Sequence, residues 1–79
     1  MTTAEKVKKI ISNSASIPIE DINLSHSINE DLGTDSLTRL DIVLDLETEF
    51  GIEISDEEAI KLSKEPIQSI VDYINRRIK

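Results

Sequence analysis

Residues 35–51 read DSLTRLDIVLDLETEFG, with a helix start signal at one end, a stop signal at the other and two apolar stripes between them. Asp35 is a good N-cap, with a short side chain that can take an N–H from the first helical turn. Gly51 is a good terminator, because glycine enters the left-handed region without a Cβ penalty. Between them lie about four turns of helix, beginning at about Ser36. On a wheel with Leu37 at zero, Ile42, Leu46, Phe50 and Val43 fall at roughly 140°, 180°, 220° and 240°. That arc is an ordinary core face. Leu37, Leu44 and Leu40 fall at roughly 0°, 340° and 300°, on a side that one core cannot wholly cover. Asp41 and Asp45 flank this second stripe at roughly 40° and 80°, and Glu47 lies at about 280°. An apolar stripe edged with carboxylates suits a docking surface, where charge steers and leucines bind. The same stripe could equally lie beneath a covering loop.

The flanks supply further helices. Thr2 and Glu5 have capping-box spacing, and Ala4, Val7, Ile10 and Ile11 form one apolar stripe, which predicts a first helix to about Ser14. Residues 15–35 show no sustained period. Pro18 disfavours helix at Ile17, while Ile17, Ile22, Leu24, Ile28 and Leu32 recur irregularly. A long loop pinned to the core by these side chains is expected between helices 1 and 2, and loops of about 20 residues in small domains tend to be functional. Gly33 can supply a turn that other residues resist. Ser55 and Glu58 make a second capping box, opening a short third helix to about Leu62. Pro66 suits the first turn of a last helix, whose buried face is Ile67, Ile70, Val71 and Ile74, extended by Ile78. Arg76, Arg77 and Lys79 complement the dipole at its end. The expectation is all-α: a small four-helix bundle of three longer helices and one short one, forming a single domain over residues 1–79.

Composition bounds what that domain can be. A chain of 79 residues sits near the lower limit for one unaided core, at about 3–5 kcal/mol of net stability. There is no cysteine, which excludes disulfides and thiolate metal sites and fits a cytoplasmic protein. Phe50 and Tyr73 are the only aromatic residues, so Ile, Leu and Val must build the interior. No apolar run approaches the roughly 18 residues of a membrane span, and the N-terminus lacks the apolar segment of a signal peptide. The formal net charge is −7, unevenly spread: residues 30–58 hold eleven acids against Arg39 alone. Such a block disfavours nucleic acid and either steers basic partners or forms a solvated surface that only keeps the protein soluble.

The stretch DLGTDSL (31–37) concentrates the question of function. Ser36 falls in the first turn of its helix, where unpaired N–H groups and the positive end of the dipole would favour an anion such as a phosphate. A serine at a helix start is more often a plain cap, but Asp35 already fits the cap, leaving the Ser36 hydroxyl free to face solvent. Catalytic readings are poor. GTDSL is not the G-x-S-x-G elbow, and a Ser–His–Asp triad would rest on His26, the only histidine. DINLSHSINEDL (21–32) starts like a calcium loop but lacks glycine at its sixth position and glutamate at its twelfth. No catalytic and no metal-ligating residue is assigned.

DLGTDSL, together with VKKII, LETEFGIEISDEEA and VDYI, resembles the acyl carrier proteins, and the similarity runs over nearly all 79 residues. The resemblance implies a four-helix bundle that is not itself an enzyme. It implies a 4′-phosphopantetheine arm on Ser36, flanked by Asp35 and transferred from coenzyme A by a separate holo-carrier-protein synthase that uses Mg²⁺. Acyl intermediates would ride on the arm as thioesters, for fatty-acid or related lipid or polyketide synthesis. Partners with basic docking patches are implied (ketoacyl synthases, reductases, dehydratases and acyltransferases), and they would meet Leu37, Leu40, Asp41, Leu44, Asp45 and Glu47, with Glu53 and Asp56 at the far end. A monomer without membrane insertion is expected. Val7, Val43, Leu46 and Ile70 are candidates to part for the acyl chain. Family members dedicated to fatty-acid synthesis usually follow D-S-L with an acid, a small residue, valine and glutamate, whereas this chain has Thr38, Arg39, Leu40 and Asp41. Arg39, at roughly 200°, points toward the core side, so its head must reach out, to an attached phosphate, to Asp35 or to another neighbouring acid. An acidic interaction module without a prosthetic group is the alternative from another class.

Overall fold

Local capping explains most of the helix boundaries in the computed structural model, which describes residues 2–78. Helix α1 spans Thr3–Ala15 and opens on the full capping box: the Glu5 N–H donates to Thr2 Oγ1 and the Thr2 N–H to Glu5 Oε1, both at 3.1 Å. Helix α2 spans Ser36–Phe50, between the Asp35 cap and Gly51 at φ 63°. Helix α3 spans Asp56–Lys64 and α4 spans Ile67–Arg77. The four helices and the absence of strands among the described residues match the all-α expectation.

Four details differ from the sequence reading. The loop between α1 and α2 contains one 3₁₀ turn, Ile19–Asp21, which Pro18 initiates by accepting the Asp21 N–H at 2.9 Å. Helix α3 runs two residues past Leu62. It stops where Pro66 forces Glu65 into extended backbone, at φ −94° and ψ 164°. Pro66 itself is the residue before α4 rather than part of its first turn. Finally, Ser55 and Glu58 form only half a capping box. The Glu58 N–H reaches Ser55 Oγ at 3.2 Å, but the Glu58 carboxylate accepts the Ser55 hydroxyl at 3.3 Å instead of the Ser55 N–H, and it also takes the Tyr73 hydroxyl at 2.9 Å and lies 3.5 Å from Arg77. Lys79 lies outside the described residues.

The core is aliphatic. Val7 and Ile11 of α1, Ile42 and Leu46 of α2, and Ile67 and Ile74 of α4 are wholly or almost wholly enclosed. Ile78 is outside it. Helix α1 packs on both α2 and α4, and α3 packs chiefly on α4. The long loop is pinned as its hydrophobic residues predict: Ile22 and Ile28 are buried, and Ile17, Leu24 and Leu32 pack against the core. Main-chain bonds complete the attachment. The Ile67 N–H donates to His26 O, Gln68 N–H to Leu24 O and Asn29 N–H to Ser63 O, all within 2.8–2.9 Å. The loop is thereby fastened to the junction of α3 and α4.

The Glu58–Tyr73–Arg77 cluster pins the start of α3 to the end of α4, with the Arg77 guanidinium 4.4 Å from the Tyr73 ring centroid. The Tyr73 hydroxyl, and then Arg77, hold the Glu58 carboxyl below its ordinary value of 4.5. A carboxyl depressed by folding stabilises the fold above its unfolded pKa, and that contribution disappears as pH falls through the folded value. Glu58→Gln is therefore expected to unfold at lower denaturant than wild type near neutral pH, with the gap closing below pH 4.5. A gap that keeps its size into strong acid would show that the carboxylate's charge contributes nothing to the pin.

Candidate functional site

In residues 31–35 each position has a backbone task. Asp31 Oδ2 accepts the Ser27 N–H at 2.7 Å, and Ser27, buried in the loop, takes the Glu30 N–H on its own Oγ at 3.2 Å. Leu32 packs on the core. Gly33 sits at φ 60° with open space where a Cβ would stand, so its backbone angle, not crowding, is what favours glycine. Thr34 Oγ1 donates to Ile28 O at 2.8 Å. Asp35 Oδ1 accepts the Thr38 N–H at 2.8 Å, as the cap reading requires. That bond is the main reason the Asp35 carboxyl lies below its ordinary value, and the nearby Arg39 charge adds to the effect.

Ser36 has no such task. It is the first residue of α2, it is exposed, and its hydroxyl makes no hydrogen bond among the described residues. The side chain borders a cavity of about 390 Å³ between α2, α3 and α4. The walls are aliphatic, with Ile28, Val43, Leu46, Ile54 and Ile70 contributing, and Ser36, Arg39 and Asp56 supply polar groups. Three of the four side chains expected to part for an acyl chain therefore line it. Val7 does not: it is completely enclosed on α1.

The leucine stripe is uncovered. Leu37 is 72 % exposed, Leu40 52 % and Leu44 50 %, so the loop does not lie over it. The loop's bonds to α3 and α4 draw it elsewhere. Asp41 and Asp45 are exposed, with Asp45 Oδ2 accepting the Ser14 hydroxyl at 3.1 Å. Glu47 is half-buried and its carboxylate takes the Ile54 N–H at 2.8 Å, which fixes the α2–α3 connection. Glu53 and Asp56 are exposed at the far end. Ile60, on α3, was missed from sequence. It is 59 % exposed and borders the same cavity as Leu40. The available signal was an isoleucine two residues before the buried Leu62, off the inward face of α3.

Arg39 is half-buried, and its Nη1 donates to the Thr34 carbonyl. It forms no ion pair among the described residues, so neither Asp35 nor another acid takes its head group. His26 accepts the Asn23 N–H on Nδ1 at 3.3 Å and does not line the cavity with Ser36, which leaves the serine without an imidazole base. No helix among the described residues is long and apolar enough to cross a membrane.

Comparison with known proteins agrees with this geometry. A family model described as the phosphopantetheine attachment site matches residues 5–74. The acyl carrier protein of Nitratidesulfovibrio vulgaris (strain DP4) is 38 % identical over 77 residues, covering 98 % of this chain and 99 % of that one. A solved structure of the acyl carrier protein from Enterococcus faecalis superposes with a TM-score of 0.73 at 44 % identity, over 94 % of this chain and 95 % of that one.

Proposed function

The chain belongs to the acyl carrier protein family, and from that membership we propose that it carries acyl intermediates on a 4′-phosphopantetheine arm attached to Ser36. The observation that carries this reading is the idle Ser36 hydroxyl, in a segment where every preceding residue from 31 is occupied with building the turn. In the loading reaction Ser36 Oγ attacks the pantetheine-side phosphorus of coenzyme A. The Oγ–P bond forms, the pyrophosphate P–O bond breaks, and 3′-phosphoadenosine 5′-phosphate leaves. The hydroxyl proton would pass to a base of the synthase, and the Mg²⁺ that the synthase uses would supply positive charge for the leaving phosphate. A negative diester on Ser36 would lie at the N-terminal end of α2, where the positive end of the helix dipole lowers its energy.

When attached, the arm supplies the thiol for thioester formation, which suits a chain that has no cysteine of its own. The chain's part is then to shelter and to present. Val43, Leu46, Ile54 and Ile70 offer apolar walls beside Ser36, and burial of cargo there is worth about 0.8 kcal/mol per CH₂. Leu37, Leu40 and Leu44 offer the contact area, while Asp41, Asp45 and the acids beyond steer basic surfaces toward it. The synthase and the ketoacyl synthases, reductases, dehydratases and acyltransferases of a fatty-acid, lipid or polyketide pathway are the partners this surface fits. Incubation with a carrier-protein synthase, coenzyme A and Mg²⁺ should raise the intact mass by one phosphopantetheine. A mass unchanged across several such synthases would sink the reading.

A further inference from the structure

Arg39 is the one cation among the eleven acids of residues 30–58, yet no acid pairs with it among the described residues. Its surroundings suggest what does. Positions three apart on a helix are neighbours, about 5–6 Å between Cβ atoms, so Arg39 sits one turn beyond Ser36 on an adjoining face. Helical side chains lean toward the N-terminus. The bond from Arg39 Nη1 to the Thr34 carbonyl shows this one doing so, reaching back past Ser36 to the residue before the cap. Thr34 is in turn held by its bond to Ile28 O at 2.8 Å. The guanidinium is therefore positioned by a chain of bonds before any ligand arrives. Of its five N–H groups, Thr34 takes one. Ser36 and Arg39 border the same cavity.

Resting on the assignment of the arm to Ser36, we propose that Arg39 is the ligand of the arm's phosphate. Its spare N–H groups donate to the non-ester oxygens of the diester and turn the base of the arm toward the cavity. Arginine suits this role because its planar fork matches phosphate geometry and its charge strengthens each bond. The Thr34 bond removes part of the ordering cost that a loose arginine would bear on binding. The same contact would offset the repulsion that a new anion meets beside Asp35, the neighbouring helix cap.

The test compares unloaded and loaded forms of wild type, Arg39→Lys and Arg39→Gln, each verified by intact mass. In ¹⁵N-labelled wild type, the Arg39 side-chain resonances should move on loading, and the ³¹P resonance of the diester should differ from that of loaded Arg39→Gln. Loading should raise the wild-type melting temperature by about 5 °C at low salt, and less at high salt. Arg39→Lys should retain part of that gain and Arg39→Gln none. If Arg39→Gln shows the wild-type phosphorus resonance and loading gain, the guanidinium is only a staple for the loop and the proposal is overturned. Where Arg39→Gln is too unstable to measure, Arg39 resonances that stay unmoved when wild type is loaded overturn the proposal alone. A wild type that accepts no arm overturns the carrier function itself, and this inference with it.

Discussion

Ser36→Ala should accept no phosphopantetheine under conditions that load the wild type fully, and its melting temperature should stay within a degree or two of wild type. The two halves of this result have different causes. Loading needs the oxygen that becomes the ester bridge, and alanine has none, so the loss is complete rather than graded. Stability is spared because the hydroxyl makes no hydrogen bond among the described residues and is exposed, so its removal strands no partner. The cap that starts α2 belongs to Asp35. Intact mass and a thermal melt on the same sample read both halves. A variant that still gained the mass of the arm would move the attachment point elsewhere. A variant unloaded but fully active in the cell would favour an acidic interaction module that needs no prosthetic group.

Ile11→Ala should remove most of the protein's stability. Ile11 is completely enclosed in α1, the helix that packs on both α2 and α4. Truncation of such a side chain costs about 2–5 kcal/mol, the lost transfer energy plus the cavity left behind. A core of this size supplies only about 3–5 kcal/mol in total, with no disulfide to add to it. Urea titration should show a midpoint near zero, or a chain already largely unfolded. Ile11→Val, at about 0.5–1.5 kcal/mol, should remain folded with a reduced midpoint. An alanine variant with the wild-type midpoint would mean that the α1–α2–α4 junction is not where the stability lies. Ile11 does not line the cavity beside Ser36, so its variants report on the scaffold without altering the proposed cargo site.

Features whose causes lie within a few residues are legible in the chain alone. Thr2 with Glu5, Asp35 with Thr38, and Gly51 at positive φ set helix ends through contacts three or four residues long, so spacing reveals them. The 3.6-residue period of α2 likewise separates a core arc from a leucine stripe. Tertiary structure decided everything that depends on what another segment leaves uncovered or unfilled. Leu37, Leu40 and Leu44 are exposed because the long loop is tied to α3 and α4 instead of crossing them. Glu58 shares its carboxylate between Ser55 and Tyr73, the latter fifteen residues away. Arg39 finds its acceptor on a loop whose course no helical wheel contains. The cavity is a gap between three helices, and Val7 falls outside it because enclosure depends on the distance between elements, a quantity that periodicity along one chain does not encode.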